Sequence, residues 1–162
     1  MQIRPAELAD AEAIAAIYNV EVLESTATFD LTPRSLEEQR TWQMERSGAH
    51  AVLVAQDEQG GIAGFASLSA FRSRPAYSPT VESSVYVATT HRRQGVARLL
   101  MIDLIATAQS HGFHSIIARI ADSQIASLDL HESMGFDLIG IEREVGRKFG
   151  RWLDVAVMQV LL

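Results

Sequence analysis

The chain has 162 residues, 48% hydrophobic and 21% charged, which suits one compact domain over residues 1–162 with a sizeable core. Its net charge of −6 argues against a nucleic-acid partner, no run of about 18 apolar residues marks a membrane span, and the absence of cysteine removes disulfides, thiolate zinc sites and a cysteine nucleophile. The opening M-Q-I-R-P-A-E carries no apolar signal-peptide segment, so the expected address is the cytoplasm.

The elements follow in chain order from periodicity and turn residues. Ile3 lies in a short opening strand, and Asp10 is placed to cap a helix whose Ile14, Ile17, Tyr18 and Val22 share one face. Ser35, with Glu38 three residues on, forms a capping box for a second helix running through Trp42 toward Gly48. Residues 51–55 (A-V-L-V-A) and 62–68 (I-A-G-F-A-S-L) read as strands joined by the turn D-E-Q-G-G. The polar loop F-R-S-R-P-A-Y-S-P-T then leads to a strand around V-E-S-S-V-Y-V. A strongly apolar helix runs from residue 95 to about 111 and stops at Gly112. S-I-I-A-R-I is a further strand, and a helix over about 125–134 ends at Gly135. Two closing strands, D-L-I-G-I-E-R-E-V and W-L-D-V-A-V-M-Q-V-L, meet at G-R-K-F-G-R. The order β-α-α-β-β-β-α-β-α-β-β predicts a single mixed α/β domain.

The stretch H-R-R-Q-G-V-A at 91–97 stands where a strand gives way to a helix. A helix N-terminus offers unpaired N–H groups and the positive end of the dipole. Gly95 lets a ligand approach the backbone, Ala97 keeps the first turn small, and Arg92, Arg93 and Arg98 add positive charge, so a phosphate is expected here. The stretch lacks the glycines of a dinucleotide fingerprint and the G-K-[ST] of a P-loop, so the phosphate belongs to some other cofactor. Of the 14 basic residues all but Lys148 are arginine, the side chain suited to bidentate contact with phosphate or carboxylate.

Strand, R-x-x-G-x-A, long helix, strand, and a short helix ending in M-G-F is a layout that resembles the Gcn5-related N-acetyltransferases (GNAT). Further blocks are similar to the phosphinothricin and methionine sulfoximine acetyltransferases: I-Y-N, S-T-A-T-F-D, F-R-x-R-x-A-Y, T-V-E-x-S-V-Y-V, L-H-E-x-x-G-F and V-G-x-K-F-G-R-W-L-D-V. Together they span nearly the whole chain. The resemblance implies a mixed, mostly antiparallel central sheet flanked by helices. It also implies acetyl-CoA as cosubstrate. Arg92, Arg93, Gln94, Gly95, Val96, Ala97 and Arg98 would hold its pyrophosphate, and the backbone of Val85, Tyr86 and Val87 would pair with its pantetheine arm.

The attacking amine arrives as an ammonium, and a carboxylate beside the thioester can take its proton if burial raises the carboxylate's pKa. In the resembling enzymes the glutamate of T-V-E-x-S has this role, which falls on Glu82. Backbone N–H groups near Val85 would steady the oxyanion. His131 stands where many relatives place a tyrosine that protonates the leaving thiolate; it is either that acid or a histidine packing helix on sheet. Gln124 of Q-I-A-S fills the slot of the family's asparagine, with the same donor and acceptor on a longer arm. Arg72 and Arg74 are candidates to grip a substrate carboxylate. Phe29 and Tyr77 either wall the substrate's side chain or pack the core, and Ser83 and Ser84 border Glu82. Lys148 sits in a hairpin that in the resembling enzymes lies near a partner subunit's active site, which implies a homodimer. No metal is expected, because no second histidine follows His131 at four-residue spacing.

The reaction so implied is acetylation of the α-amine of a small amino acid or analogue such as L-phosphinothricin, methionine sulfoximine or methionine sulfone. Two alternatives stay open. One is an enzyme of the same fold acting on a protein N-terminus or a polyamine; the loop arginines argue against the polyamine, which has no carboxylate. The other is a non-catalytic acyl-CoA-binding module, against which Glu82 argues.

Overall fold

The computed structural model describes residues 1–46, 48–122 and 124–162. Strands β1 (Gln2–Pro5), β2 (Val52–Gln56), β3 (Ile62–Ala70), β4 (Thr80–Val87), β5 (Ser115–Ala121), β6 (Asp137–Lys148) and β7 (Arg151–Leu161) form one sheet in the order β1-β2-β3-β4-β5-β7-β6. Helices α1 (Ala11–Glu24), α2 (Leu36–Met44), α3 (Val96–Ser110) and α4 (Ile125–Ser133) flank it. β4 and β5 run parallel and every other neighbouring pair is antiparallel. Element order and sheet type are those expected from the sequence.

Two cores cover the two faces. Val96, Leu100, Met101, Leu104 and Ala108 recur along α3 at helical spacing and pack on Leu53, Ala66, Leu68, Val81, Ile116 and Ala118 of the sheet. On the opposite face Ile14, Ile17, Tyr18 and Val22 of α1 pack on Val52, Val54 and Phe65, with Trp42 of α2 against them. The central strands are buried on both faces, which is why β2 and β3 read as near-continuous apolar runs instead of alternating ones.

The capping box of α2 forms as expected: the Glu38 N–H donates to Ser35 Oγ at 3.2 Å and the Ser35 N–H to Glu38 Oε2 at 2.8 Å. Asp10 differs. It occupies the N-cap position of α1, but its side chain does not cap that helix. Both carboxylate oxygens accept from the Arg4 guanidinium at 2.8 Å, and Oδ2 also accepts from the Glu7 N–H at 2.7 Å. The bidentate ion pair outcompetes a neutral cap, and the Arg4 hydrogen bond holds the Asp10 pKa below its ordinary value.

One feature of the sheet prepares the site. The β4–β5 ladder runs only from Thr80↔Ser115 to Ser83↔Ala118, although β4 continues to Val87 and β5 to Ala121. Beyond Ser83 the two parallel strands splay and leave a cleft in the sheet. The β4 backbone along that cleft is a free edge, open to pairing with an extended ligand.

Candidate active site

The cleft contains a cavity of about 70 Å³ lined by residues 83–86 of β4, residues 118–121 of β5, Gln124 at the N-cap of α4, and Ser127 and His131 of α4. A larger groove of about 370 Å³ follows the same β4 edge outward past Val85 and Val87 to Arg92 and Ala97, with Gln124 and Leu130 on its far wall. Val85, Tyr86, Val87, Arg92, Ala97 and Gln124, all anticipated from the sequence, therefore share one groove. Gln124 lines both spaces and its Nε2 lies 3.5 Å from Thr26 Oγ1.

At the groove's end the chain turns into α3. Arg93 adopts φ +63° and Gly95 φ +80°, and no side chain caps the first helical turn. The N–H groups at the start of a helix have no intrahelical acceptor, so they are available to an anion here. A Cβ at Gly95 would meet nothing within 4 Å, so the space above this turn is open for a phosphate to reach the backbone. Val96 contributes only its backbone, because its side chain is in the core. Arg93 is exposed, Gln94 is tied to the Thr90 carbonyl at 3.1 Å, and Arg98 donates to Ser133 Oγ at 3.2 Å. Arg92 is less free than the sequence suggests: its guanidinium is paired with the buried Glu21 carboxylate of α1. That pair holds Arg92 against the groove wall.

Glu82 lies on β4 opposite Ser69 of β3 and Ile117 of β5, just before the splay. It is half-buried, and among the described residues its carboxylate accepts no hydrogen bond. Burial pushes its pKa up; Arg119 pulls it back and Glu142 adds to the rise. Arg119 and Glu142 are paired to each other, so neither acts on Glu82 as a lone charge. A partly desolvated, unpartnered carboxylate is suited to accepting a proton.

His131 is 4% exposed and its ring stands edge-on to Phe136 at 5.0 Å. Its Nδ1 lies 2.7 Å from the Ser127 carbonyl oxygen. A carbonyl only accepts, so Nδ1 carries the proton and, in the neutral ring, Nε2 is bare. Burial lowers the His131 pKa, which favours that neutral ring. Of the two roles left open for His131, the packing one is seen here, and as a donor Nε2 would first have to take up a proton. Ser83 Oγ is buried in the same neighbourhood without a partner, and Ser84 lies on the opposite face of β4.

On the substrate side the placements diverge from the sequence reading. Arg72 and Arg74 are exposed on the β3–β4 loop, with the Arg72 guanidinium 4.9 Å from the Phe71 ring centre and 5.8 Å from that of Tyr77. Tyr77 is also exposed and edge-on to Phe71, and none of these side chains lines the cavities described here. Phe29 covers Gly146 of β6 so closely that a Cβ there would collide with its ring, which explains the glycine. Lys148 is 3% exposed, and its Nζ donates to the carbonyls of Thr28 at 2.8 Å and Glu21 at 3.2 Å. Those bonds tie the β6–β7 hairpin to the end of α1. Two of the three ammonium donors of Lys148 are thus taken by backbone carbonyls.

A neighbouring space went unanticipated. A cavity of about 130 Å³ lies over β3 and β4, between Ser67, Ser69 and Ser84 on the strands and Tyr18, Arg34, Trp42 and Arg46 on the helical side. Tyr18 Oη is 2.6 Å from Asp30 and 2.7 Å from Thr28 Oγ1, and burial foremost pushes its pKa up to about 12. The sequence signal was W-x-x-x-R: a four-residue spacing at a helix end stacks Arg46 on Trp42. Among the described residues no group of three His, Cys, Asp or Glu side chains could hold a metal.

A cleft between splayed parallel strands, an open phosphate-type helix start and a half-buried carboxylate beside the cleft define an acyl-CoA-dependent transferase. Residues 3–157 match the family model described as an acetyltransferase (GNAT) domain, and the chain belongs to the GNAT acetyltransferases. It is an N-acetyltransferase of the phosphinothricin acetyltransferase-like kind. The L-methionine sulfoximine/L-methionine sulfone acetyltransferase of Pseudomonas aeruginosa is 39% identical over 161 residues, which is 99% of this chain and 94% of that protein. The crystal structure of a ribosomal-protein-alanine N-acetyltransferase from Brucella melitensis superposes with a TM-score of 0.97 at 40% identity, covering 100% of both chains. A GNAT superfamily phosphinothricin acetyltransferase from Sinorhizobium meliloti, solved in complex with AcCoA, gives a TM-score of 0.96 at 38% identity over 99% of this chain and 88% of that one. GNAT acetyltransferases use acetyl-CoA, and the groove fits it: an unpaired strand edge for an amide-bearing arm, then a basic helix start for phosphates.

Proposed function

We propose that this chain acetylates the α-amine of a small amino acid or analogue, of the methionine sulfone, methionine sulfoximine or L-phosphinothricin type, by direct transfer with Glu82 as general base. The observation that carries the reading is the Glu82 carboxylate, half-buried, without a hydrogen-bond partner and raised in pKa by burial beside the cleft. Acetyl-CoA supplies the activated acetyl group. The free β4 edge at Val85, Tyr86 and Val87 orients its arm, and the 92–98 turn binds its phosphates. Glu82 takes the ammonium proton, directly or through one water, and N–H groups near Val85 face the carbonyl oxygen where negative charge gathers. The chain has no cysteine, and no base is hydrogen-bonded to Ser83 Oγ among the described residues, which favours direct transfer over an acyl-enzyme. His131, with Nε2 bare, fits a relay that first receives a proton and then returns it to the departing sulfur.

The name of the Brucella melitensis neighbour keeps a protein N-terminus as the second reading. The arginine-bordered cavity of about 130 Å³ suits a free amino acid better than a chain end. We further infer a homodimer joined through the edge strand: Leu138, Ile139, Ile141 and Val145 of β6 and Trp152 of β7 are 47–62% exposed, a patch that water does not favour. Sedimentation should give a dimer, and Ile141→Glu should shift it toward monomer. No described helix is long and apolar enough to cross a membrane.

The deciding experiment follows thiol release from acetyl-CoA against a panel of L-amino acids and analogues, a peptide with a free N-terminus and a polyamine. Turnover with methionine sulfone, methionine sulfoximine or phosphinothricin, and little with the peptide or polyamine, supports the reading. Exclusive turnover of the peptide would replace it, and no turnover with any amine would leave a binding module.

A further inference from the structure

Arg46 lies just past the end of α2 with its guanidinium carbon 4.0 Å from the Trp42 ring centre. Arg34 stands 5.1 Å from the same ring and 4.0 Å from that of Tyr18. The two cations are unequally compensated. Arg34 has Asp30 at 3.6 Å, whereas Arg46 has no carboxylate within 4.0 Å among the described residues. Arg46 donates to the Trp42 carbonyl at 3.0 Å and to Ser69 Oγ at 3.2 Å, but its Nε is buried with no partner. Burial and then the Arg34 charge push the Arg46 pKa down, with Glu45 offsetting part of this. A half-buried cation without a carboxylate partner is a cost the fold carries unless an anion relieves it.

The position of that anion relative to the chemistry follows from strand register. Ser69, which holds Arg46, is the β3 partner of Glu82, and Ser84 is the next β4 residue on the Glu82 face, about 7 Å along the strand. Both serines border the cavity of about 130 Å³. The carboxylate and amine of an α-amino acid hang from one carbon. An α-carboxylate lodged between Ser69, Ser84 and Arg46 therefore leaves its amine within reach of Glu82.

We infer that this cavity seats the α-carboxylate of the acceptor amino acid, with Arg46 as its charge partner and the selector for amines that carry a carboxylate. The inference rests on the amino-acid reading of the function. Stacking on Trp42 fixes the guanidinium plane before the ligand arrives, so little side-chain entropy is lost on binding. Exposed Arg72 and Arg74 then act from the loop as attracting charges, while Arg46 makes the discriminating contact. An amine without the carboxylate leaves the Arg46 charge uncompensated, and rejection follows from that.

The test compares kcat/KM for L-methionine sulfone with that for the amine left when its carboxylate is removed, in the wild type and in Arg46→Met. The wild type should prefer the amino acid. Arg46→Met should reduce that preference about tenfold or more, chiefly through the KM of the amino acid, while kcat/KM for the plain amine stays within about threefold. An unchanged preference in the variant, or a loss confined to Arg72→Ala and Arg74→Ala, overturns the assignment. Because Arg46 also packs on Trp42, the wild-type protein gives an independent reading. Its Arg46 Nε–H resonance should move on saturation with L-methionine sulfone and not with the carboxylate-free amine; a resonance that ignores the amino acid overturns the inference as well. A wild type that acetylates the plain amine and no amino acid refutes the functional reading itself, an outcome separate from either of these.

Discussion

Glu82→Gln tests the proton transfer directly. The substitution keeps size but cannot accept a proton, and loss of a general base costs about 10²–10⁴ in rate. Glu82 has no hydrogen-bond partner among the described residues, so the amide disturbs no existing bond and the variant should fold. It should even be slightly more stable at neutral pH. Burial raises the folded pKa of Glu82 above its unfolded value, so the stability linked to its protonated form is complete below the unfolded pKa and is lost as pH rises through the folded one. Where the wild type carries that ill-solvated charge, glutamine removes it; as pH falls well below the ordinary carboxylate range both states hold the proton and the difference should vanish. The rate defect should follow the substrate: free amine rises about tenfold per pH unit below the amine's own pKa, so the defect shrinks toward alkaline pH. Stopped-time thiol release from pH 6 to pH 9.5, with melting curves at pH 4 and 7, measures both. Near-wild-type kcat at pH 7 in a folded variant would refute the general-base assignment.

Three further outcomes follow from named contacts. Gly95→Ala places a methyl group in the open space above the 92–98 turn at φ +80°, so it should destabilise by about 1–2 kcal/mol and also weaken acetyl-CoA binding about tenfold or more by calorimetry; lost stability with unchanged affinity would move the phosphate elsewhere. Lys148→Met leaves the Thr28 carbonyl unpaired, the Glu21 carbonyl keeping its bonds from Ser25, and should cost about 1–3 kcal/mol in urea denaturation, with substrate KM little changed; a KM effect without a stability loss would restore a ligand role for Lys148. Nitrogen NMR at pH 7 should show His131 protonated at Nδ1 and bare at Nε2, with a midpoint below about 6.5; because burial lowers the folded pKa, protonation opposes folding and stability should fall as pH drops below that value. A proton found on Nε2 would reinstate the simple acid.

Much of the fold was readable because its signals are local. Helix caps, Gly112, Gly135 and the switch between apolar periodicities mark element ends, and their order is enough to predict a mixed sheet. The phosphate-type turn was equally local: Arg92 to Arg98 are contiguous, and glycine at Gly95 meets a backbone demand visible in the structure as φ +80°. Side chains that meet across the sheet were not readable. That Arg92 is paired with Glu21, 71 residues earlier, depends on how α1 lies over the groove. Lys148 looked available because its hairpin is polar and glycine-rich, yet its ammonium is buried against carbonyls 120 and 127 residues away. Arg72 and Arg74 stood out as a tight R-x-R before Glu82. Arg46 did not, because a single arginine after a helix is ordinary until the fold brings Ser69 and Arg34 to it.

The chemistry itself turns on the two-residue period of β4. Val81, Val85 and Val87 point to the α3 side, while Glu82, Ser84 and Tyr86 point to the α1–α2 side, as the two cores record. The strand thus presents three surfaces at once: an edge freed by the splay from β5, one face packed on the α3 core, and one face toward α1 and α2. A carboxylate on the α3 face would be sealed under apolar side chains with no route for an amine. On the Glu82 face it is half-buried, enough to lift its pKa and still open to the substrate. A one-residue slip of β4 against β3 would exchange the faces, so the apolar core that fixes register also fixes the face that Glu82 occupies. That coupling predicts that core substitutions at Val81 loosening β4 would lower kcat before they unfold the protein.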